Sequence, residues 1–482
     1  MKFPELKIPN AVDVLEHSIE GLIFSGAIRP ETNLPSERQL SKDIGVSRTT
    51  LRQALSRLQA KGLLRSAANG HQISDVIDEV LTQSFHQLGA DSAAHLFDVL
   101  SQTCAGMTQS ATRRANPSDR NRTQAAVDQM VLEMSDTASE AATEAFYDLV
   151  MKLVEANYNF FGIQVVHNLL CGFRASIGAG LAQIASQADA VERFCHTVSR
   201  IADGDGDVVR SLMEQIRIAA LESNFGLRFE LPSKVSEISP QERAYHDLAA
   251  RICDGTYQVG LKFPNLKDLS REIGHAENAV KLAFHQLAAN GLVQFEKRGV
   301  VSVVSNIRKD PIAALTNAIL RHPAAVEAMF EFRLLLEEWT VSVAAQKMNV
   351  EQKDALRGLL GRMEHAVQAE PQAYPSVDIE FHKLLAESCG NPALSALLES
   401  FWAIIERVTS DWLVRHAEYA GDNRPIHNQH VAIFRAVVAC DGPAASDAMR
   451  DHLSYVVDGL RDLERRKGFE NISDIRALLA GG

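Results

Sequence analysis

Shifted by 229 positions, Leu40, Ser41, Ile44, Gly45, Ala54, Leu58, Ala60, Gly62, Leu63 and Gly70 fall on identical residues: Leu269, Ser270, Ile273, Gly274, Ala283, Leu287, Ala289, Gly291, Leu292 and Gly299. Ile23 and Gly26 meet Ile252 and Gly255 in the same frame. Identities this dense in one ungapped register are best explained by an internal duplication, so the chain has to accommodate the same supersecondary unit twice.

The unit is clearest in the first copy. Leu34 to Leu64 divides at Gly45 into two short amphipathic segments. Leu40 and Ile44 lie four apart on the first; Val46, Leu51, Ala54, Leu55 and Leu58 give the second an apolar face at helical spacing. Ser36 and Ser47 stand where caps belong. A helix over about Ala11 to Ser25 precedes them, with Val14, Leu15, Ile19, Leu22 and Ile23 on one face and Gly26 at its end. After Gly62, Asn69-Gly70 is a two-residue hairpin signal. Three helices and a small hairpin make a winged helix-turn-helix whose second turn-flanking helix is the candidate reader of a DNA major groove. That helix opens Ser47-Arg48-Thr49-Thr50 and continues to Arg52, hydroxyls and guanidiniums suited to phosphates and guanine edges.

A formal net charge of −12 conflicts with DNA binding only until it is resolved along the chain. Arg29, Arg38, Lys42, Arg48, Arg52, Arg57, Lys61 and Arg65 face only Glu31, Glu37 and Asp43, a basic footprint on an acidic body. Six cysteines without a CxxC pair argue against a disulfide framework or a zinc finger. No apolar run approaches the roughly 18 residues of a membrane span, and MKFPELKIPN lacks an apolar signal core. The expectation is a cytoplasmic protein with no membrane partner.

Between the two copies, about Asp75 to Glu222, the periodicity is helical and Pro is scarce, which predicts a bundle of about six helices. Its helical stretches are Ala141 to Leu170, a Gly-punctuated region at Gly172, Gly178 and Gly180, Ala188 to Ala202, and Asp207 to Leu221. Phe225 to Pro240 reads as a linker. The expected fold is mainly α, a tandem duplication of a winged helix-turn-helix plus an all-α bundle. Its parts are a winged helix at 1–75, a degenerate bundle at 76–225, a linker at 226–240, a second, degenerate winged helix at 241–305 and a sensing bundle at 306–482.

The run LPSERQLSKDIGVSRTTLRQALSRLQAKGLL resembles the winged helix of the GntR family of bacterial transcription regulators, and the helical partner resembles the FCD ligand domain of the FadR subfamily. The resemblance implies DNA phosphate and base contacts at Arg38, Arg48 and Arg52, backbone contacts at Ser47, Thr49 and Thr50, and a minor-groove wing at Gly70. In the second copy the frame supplies Lys267, Ala276, Glu277, Asn278, Ala279 and Lys281. Glu277 in place of Arg48 turns a negative charge toward phosphate, so this copy is expected to bind DNA weakly or not at all.

In VDIEFHKLL, Asp378 and His382 lie four apart and project from one helical face; His430 and His452 follow on later helices. Metal-binding FCD domains carry Asp, His, His, His in this order, so the resemblance implies a divalent-metal site for Zn, Mn, Ni or Fe. His430 fits the family's H-x-x-I/V-F pattern better than His427. Arg333, in MFEFRLLLEEW, matches a family arginine near the ligand and can hold an effector carboxylate, or it can pair with Glu337 one turn on. In the first bundle Thr143 and Tyr147 replace Asp378 and His382; Arg193, Gln215 and Leu100 stand opposite His430, His452 and Arg333, a set that cannot rebuild a metal site.

The function expected is a DNA-binding transcription regulator controlled by a small organic acid, acting on a double-stranded DNA operator. With one strong reader per chain, a palindrome calls for a homodimer. The rivals are a metal-dependent enzyme fused to a DNA-binding domain, disfavoured because no paired acid and nucleophile stands beside the metal set in sequence, and a winged-helix scaffold that assembles proteins without binding DNA.

Overall fold

The computed structural model describes residues 11–24, 28, 32–61, 63–67, 70–74, 88, 92–135, 140–230, 240–253, 256–289, 292–296, 300–304, 319, 323–420 and 422–466. Gly26, Gly62, Asn69, Gly255, Gly291, Gly299 and most of the linker lie outside the described residues.

The first helix, α1 (Ala11–Phe24), buries Leu15, Ile19, Ile23 and Phe24, while Val14, expected inside, is exposed because it sits on the far side of the helix from that stripe. Helix α2 (Glu37–Ile44) starts at Ser36, whose hydroxyl accepts from the Gln39 N–H, and stops at Gly45, where φ of 77° suits a residue without a Cβ. Helix α3 (Arg48–Ala60) starts at Ser47, whose hydroxyl accepts from the Thr50 N–H at 3.1 Å. The wing is an antiparallel pair, β1 (Leu64–Ala67) with β2 (Gly70–Ile73). Leu51, Leu55, Leu58, Leu63 and Ile73 close the core beneath it.

The second winged helix repeats these bounds. It comprises α10 (Pro240–Cys253), α11 (Leu266–Ile273), α12 (Glu277–Ala289), β3 (Val293–Phe295) and β4 (Val301–Val303), the numbering running on from the first bundle. The 229-residue frame carries Glu37–Ile44 onto Leu266–Ile273 and Arg48–Ala60 onto Glu277–Ala289. Gly274, with φ of 72°, ends α11 as Gly45 ends α2. Its core of Leu248, Ile252, Leu269, Leu287 and Val303 stands apart from the main one, and α12 lies against α3.

Between the winged helices come α4 (Ala93–Ala111), α5 (Pro117–Ser135), α6 (Glu140–Glu155), α7 (Phe160–Ala185), α8 (Ala188–Ser199) and α9 (Gly206–Glu222). The stretch expected to run unbroken from Ala141 to Leu170 instead divides. Tyr158 takes a φ of 57°, and the Asn159 side chain caps a new helix by accepting from Gly162 N–H. The glycines expected to punctuate the chain lie inside α7, where close packing explains them: a Cβ on Gly180 would meet the Ile216 carbonyl at 2.8 Å. By length and composition α7 could cross a membrane, but 61% of that window is buried in the bundle, as in a core helix.

The C-terminal bundle follows the same order: α13 (Pro323–Lys347), α14 (Val350–Ala369), α15 (Tyr374–Ser388), α16 (Pro392–Ala420), α17 (Arg424–Val438) and α18 (Gly442–Arg466). Pairings recur, α13 with α18 as α4 with α9, and α14 with α15 as α5 with α6. The bundles pack on each other through α13, α16, α4 and α7; Phe161 meets Phe401 edge-on at 5.9 Å, and Asn159 Nδ2 donates to the Ala328 carbonyl at 2.7 Å. Helix α1 rests against α7 and α13, with Phe24 and Phe160 edge to face at 5.4 Å, so the first winged helix shares a continuous core with both bundles.

Candidate metal centre

Asp378 and His382 come from α15, His430 from α17 and His452 from α18; all four are buried, and one ligand atom from each lies within 4.8 Å of the others. His430 Nε2 is 3.1 Å from Asp378 Oδ1 and 3.4 Å from His382 Nε2. The His382 and His452 rings stack at 5.3 Å, and His430 closes the triangle 4.3 Å from His452. The sequence brings them together because α15 presents its i, i+4 pair inward while α17 and α18 form an antiparallel hairpin at Asp441-Gly442.

Each imidazole is turned by a contact at its outer nitrogen. His430 Nδ1 donates to the Ile426 carbonyl at 2.9 Å, and His452 Nδ1 donates to Gln429 Oε1 at 3.1 Å. His382 Nδ1 donates to the Glu337 carboxylate on α13. These outer contacts leave the Nε2 atoms facing inward beside the Asp378 carboxylate, where they can bind a cation once any Nε2 proton is released.

The electrostatics keep Glu337 and Asp378 charged and His382 and His452 neutral. Burial pushes the Glu337 carboxyl up, but the Arg333 guanidinium and the neighbouring His382 more than reverse it, to about 2. Burial likewise raises Asp378, and its contact with His430, with help from His382 and Arg333, brings it below its ordinary value. For His382, burial outweighs the pull of Glu337 and lowers the imidazole. His452 falls well below the usual histidine range through burial and the adjacent His430, His382 and Arg333. A charged Asp378 with neutral His382 and His452 suits a divalent cation. Ligands about 2.1 Å from one ion sit no more than about 4.2 Å apart, so sub-ångström closure would suffice. The residues fit the ion.

Arg333 is buried and its Nε donates to Glu337 Oε1 at 2.5 Å, the intrahelical pair foreseen from the i, i+4 spacing. Its Nη2 has no partner among the described residues, and Trp402 and Phe330 flank the guanidinium. His427 is turned elsewhere, with Nε2 2.9 Å from Glu364. Sequence reasoning missed the roles of Gln429, directly before His430, and of Glu337 toward His382. The signal for Gln429 was an acceptor one residue from a ligand; Glu337 had no local signal toward a ring 45 positions away.

Among the DNA-facing candidates, Arg38, Ser47, Arg48, Thr49 and Arg52 are exposed, Thr50 is half-buried, and Gly70 opens β2 with φ of 139°. Arg52 is held by Glu37 through both Nε and Nη2, at 3.1 and 2.8 Å. In the second copy Glu277 and Asn278 are exposed at the start of α12, whereas Ala279 is buried.

A reader helix with a basic exposed N-terminus, joined through a continuous core to a bundle enclosing a buried ligand set, defines the class: a DNA-binding transcription regulator with a ligand-sensing C-terminal domain. Residues 12–70 match the family described as bacterial regulatory proteins, gntR family, and residues 328–455 match the FCD domain. The chain therefore carries a gntR-type DNA-binding domain near one end and an FCD domain in its C-terminal bundle.

Its similar proteins include the HTH-type transcriptional repressor NanR of Cronobacter sakazakii, 28% identical over 254 residues, which covers 52% of this chain and 94% of NanR. The Exu regulon transcriptional regulator of Escherichia coli K12 is 29% identical over 45% of this chain and 84% of its own length. LutR of Bacillus subtilis is 26% identical over 43% of this chain and 95% of its own length. The solved structure of Streptococcus agalactiae GntR is 26% identical, covering 45% of this chain and 99% of its own, with a TM-score of 0.25.

Proposed function

We propose that the first winged helix reads a double-stranded DNA operator and that the C-terminal bundle senses a small organic acid through a divalent metal held by Asp378, His382, His430 and His452. The observation that carries this reading is the ligand set itself, four buried groups whose imidazoles are turned inward by three separate outer contacts. Three nitrogens and one carboxylate oxygen suit Zn, Mn, Ni or Fe. When bound, such an ion supplies a Lewis-acid anchor for a carboxylate.

The chain's own residues supply the rest. Arg333 directs its second guanidinium nitrogen to the other end of the acid, while Glu337 keeps that guanidinium in register and fixes the His382 tautomer. Both lie on α13, which also touches α1 and the first bundle, so a shift of α13 on effector binding is felt by the reader. Arg48, Arg52 and Arg38 contact phosphates and guanine edges, Ser47, Thr49 and Thr50 the backbone, and Gly70 lets the wing approach the minor groove.

The second winged helix keeps the scaffold but has Glu277 where the first has Arg48, and α4 to α9 act as a structural partner of the sensing bundle. The duplication accounts for the shared helix bounds of the two halves, and the domains follow it: 1–75, 76–225, 241–305 and 306–482, with a linker at 226–240. With a basic reader once per chain, a palindromic operator takes two chains, in the cytoplasm, and the protein is not an enzyme. Metal analysis of wild type and His452→Ala tests the reading: about one ion per chain and near none, respectively, support it, and equal metal-free samples after reconstitution overturn it.

A further inference from the structure

The first bundle has its own polar cluster on the helix face that corresponds to the metal-bearing one. On α6, Thr143 and Tyr147 occupy the positions that Asp378 and His382 hold on α15, and there they line a small pocket together with Cys171 and Arg174 of α7. Tyr147 Oη lies 2.5 Å from His167 Nδ1, and His167 Nε2 lies 4.0 Å from Cys171 Sγ, one helical turn on. All three side chains are half-buried, so the chain of contacts is reachable from solvent. Arg174, paired with Glu144 and 3.9 Å from Glu140, adds a guanidinium to the same pocket.

We propose that Cys171 is a hydroperoxide-reactive thiol with His167 as its base, a second chemical site in the half of the molecule that lacks the metal ligands. With the Nδ1 proton donated to the Tyr147 oxygen, His167 Nε2 carries a lone pair and takes the thiol proton. The thiolate then attacks the terminal oxygen of a hydroperoxide. The S–O bond forms as the O–O bond breaks, and the proton on His167 passes to the departing alkoxide. Cys171 is oxidised to the sulfenic acid and the hydroperoxide is reduced to the alcohol, or to water from hydrogen peroxide. Among the described residues the other half-buried thiol, Cys195, lies on α8 where burial pushes it up, and Cys104 and Cys389 are buried and shifted the same way.

The test treats the intact chain with limiting hydrogen peroxide and dimedone and follows each cysteine peptide by mass spectrometry. The expected result is a dimedone adduct at Cys171 forming at least about tenfold faster than at Cys195. His167→Gln slows the Cys171 adduct about tenfold and leaves the exposed Cys440 rate unchanged. Should that variant fail to fold by circular dichroism, Tyr147→Phe, which keeps the ring and removes the tautomer-fixing oxygen, is expected to slow Cys171 several-fold. Labelling of Cys171 no faster than Cys195, or a rate at Cys171 that the folded variant leaves unchanged, overturns the proposal.

Discussion

Glu337 on α13 accepts the Nδ1 proton of His382 on α15, and the same carboxylate binds the Arg333 guanidinium one turn earlier on its own helix. One buried anion therefore joins the candidate metal ligand to the candidate effector arginine. A change at either end is transmitted to the other through a single side chain.

Glu337→Gln is expected to lower metal affinity by about 10- to 100-fold while leaving the four ligands in place, because the outer contact fixes the His382 tautomer and raises its basicity. Titration with a competing chelator measures this. An unchanged affinity would show that ring packing alone orients His382.

The same carboxylate sets an acid limit on stability. Its folded value of about 2 lies below its ordinary 4.5, so its stabilising contribution is fully present above about pH 4.5 and is lost as pH falls toward 2. Removing one partner of a buried pair costs about 3–5 kcal/mol. Urea unfolding of metal-free wild type and Glu337→Gln is expected to show a gap of that order at pH 7 that narrows below pH 4.5. A gap that is constant down to pH 3 contradicts the assignment.

Arg48→Ala and Arg52→Ala are each expected to weaken binding to an operator selected from random duplexes by about 1–3 kcal/mol. Where the lost contact is to phosphate, the salt dependence of log K also shallows by about one unit. Glu277→Ala, in the second copy, is expected to change little. Fluorescence anisotropy across a salt series distinguishes the two readers, and equal losses in both copies would mean that the second winged helix also reads DNA.

Phe24 and Phe160 are fully buried against each other where the winged helix meets the bundles. Phe160→Ala is expected to cost about 3–5 kcal/mol of stability and to diminish any effector-dependent change in operator affinity, since the core that couples α1 to α7 is loosened. Calorimetry gives the first quantity and mobility shift with and without a bound organic acid gives the second.

The sequence by itself determined the local units. Ser36 and Ser47 as caps, Gly45 as a left-handed turn, and the 229-residue frame were legible because capping, positive φ and apolar spacing depend on neighbours a few residues apart. Asp378 and His382 were legible for the same reason, one turn apart on one helix. The division of Ala141 to Leu170 at Tyr158, and the enclosure of Gly172 and Gly180 within α7, depended on what packs against those residues; local composition misjudged both. Only the tertiary structure decided that Glu337 reaches His382, that Gln429 turns His452, that Arg52 rests on Glu37, and that Tyr147 on α6 meets His167 on α7. These contacts arise where different helices cross, and the crossing is fixed by burial of whole faces, which no short window of sequence contains.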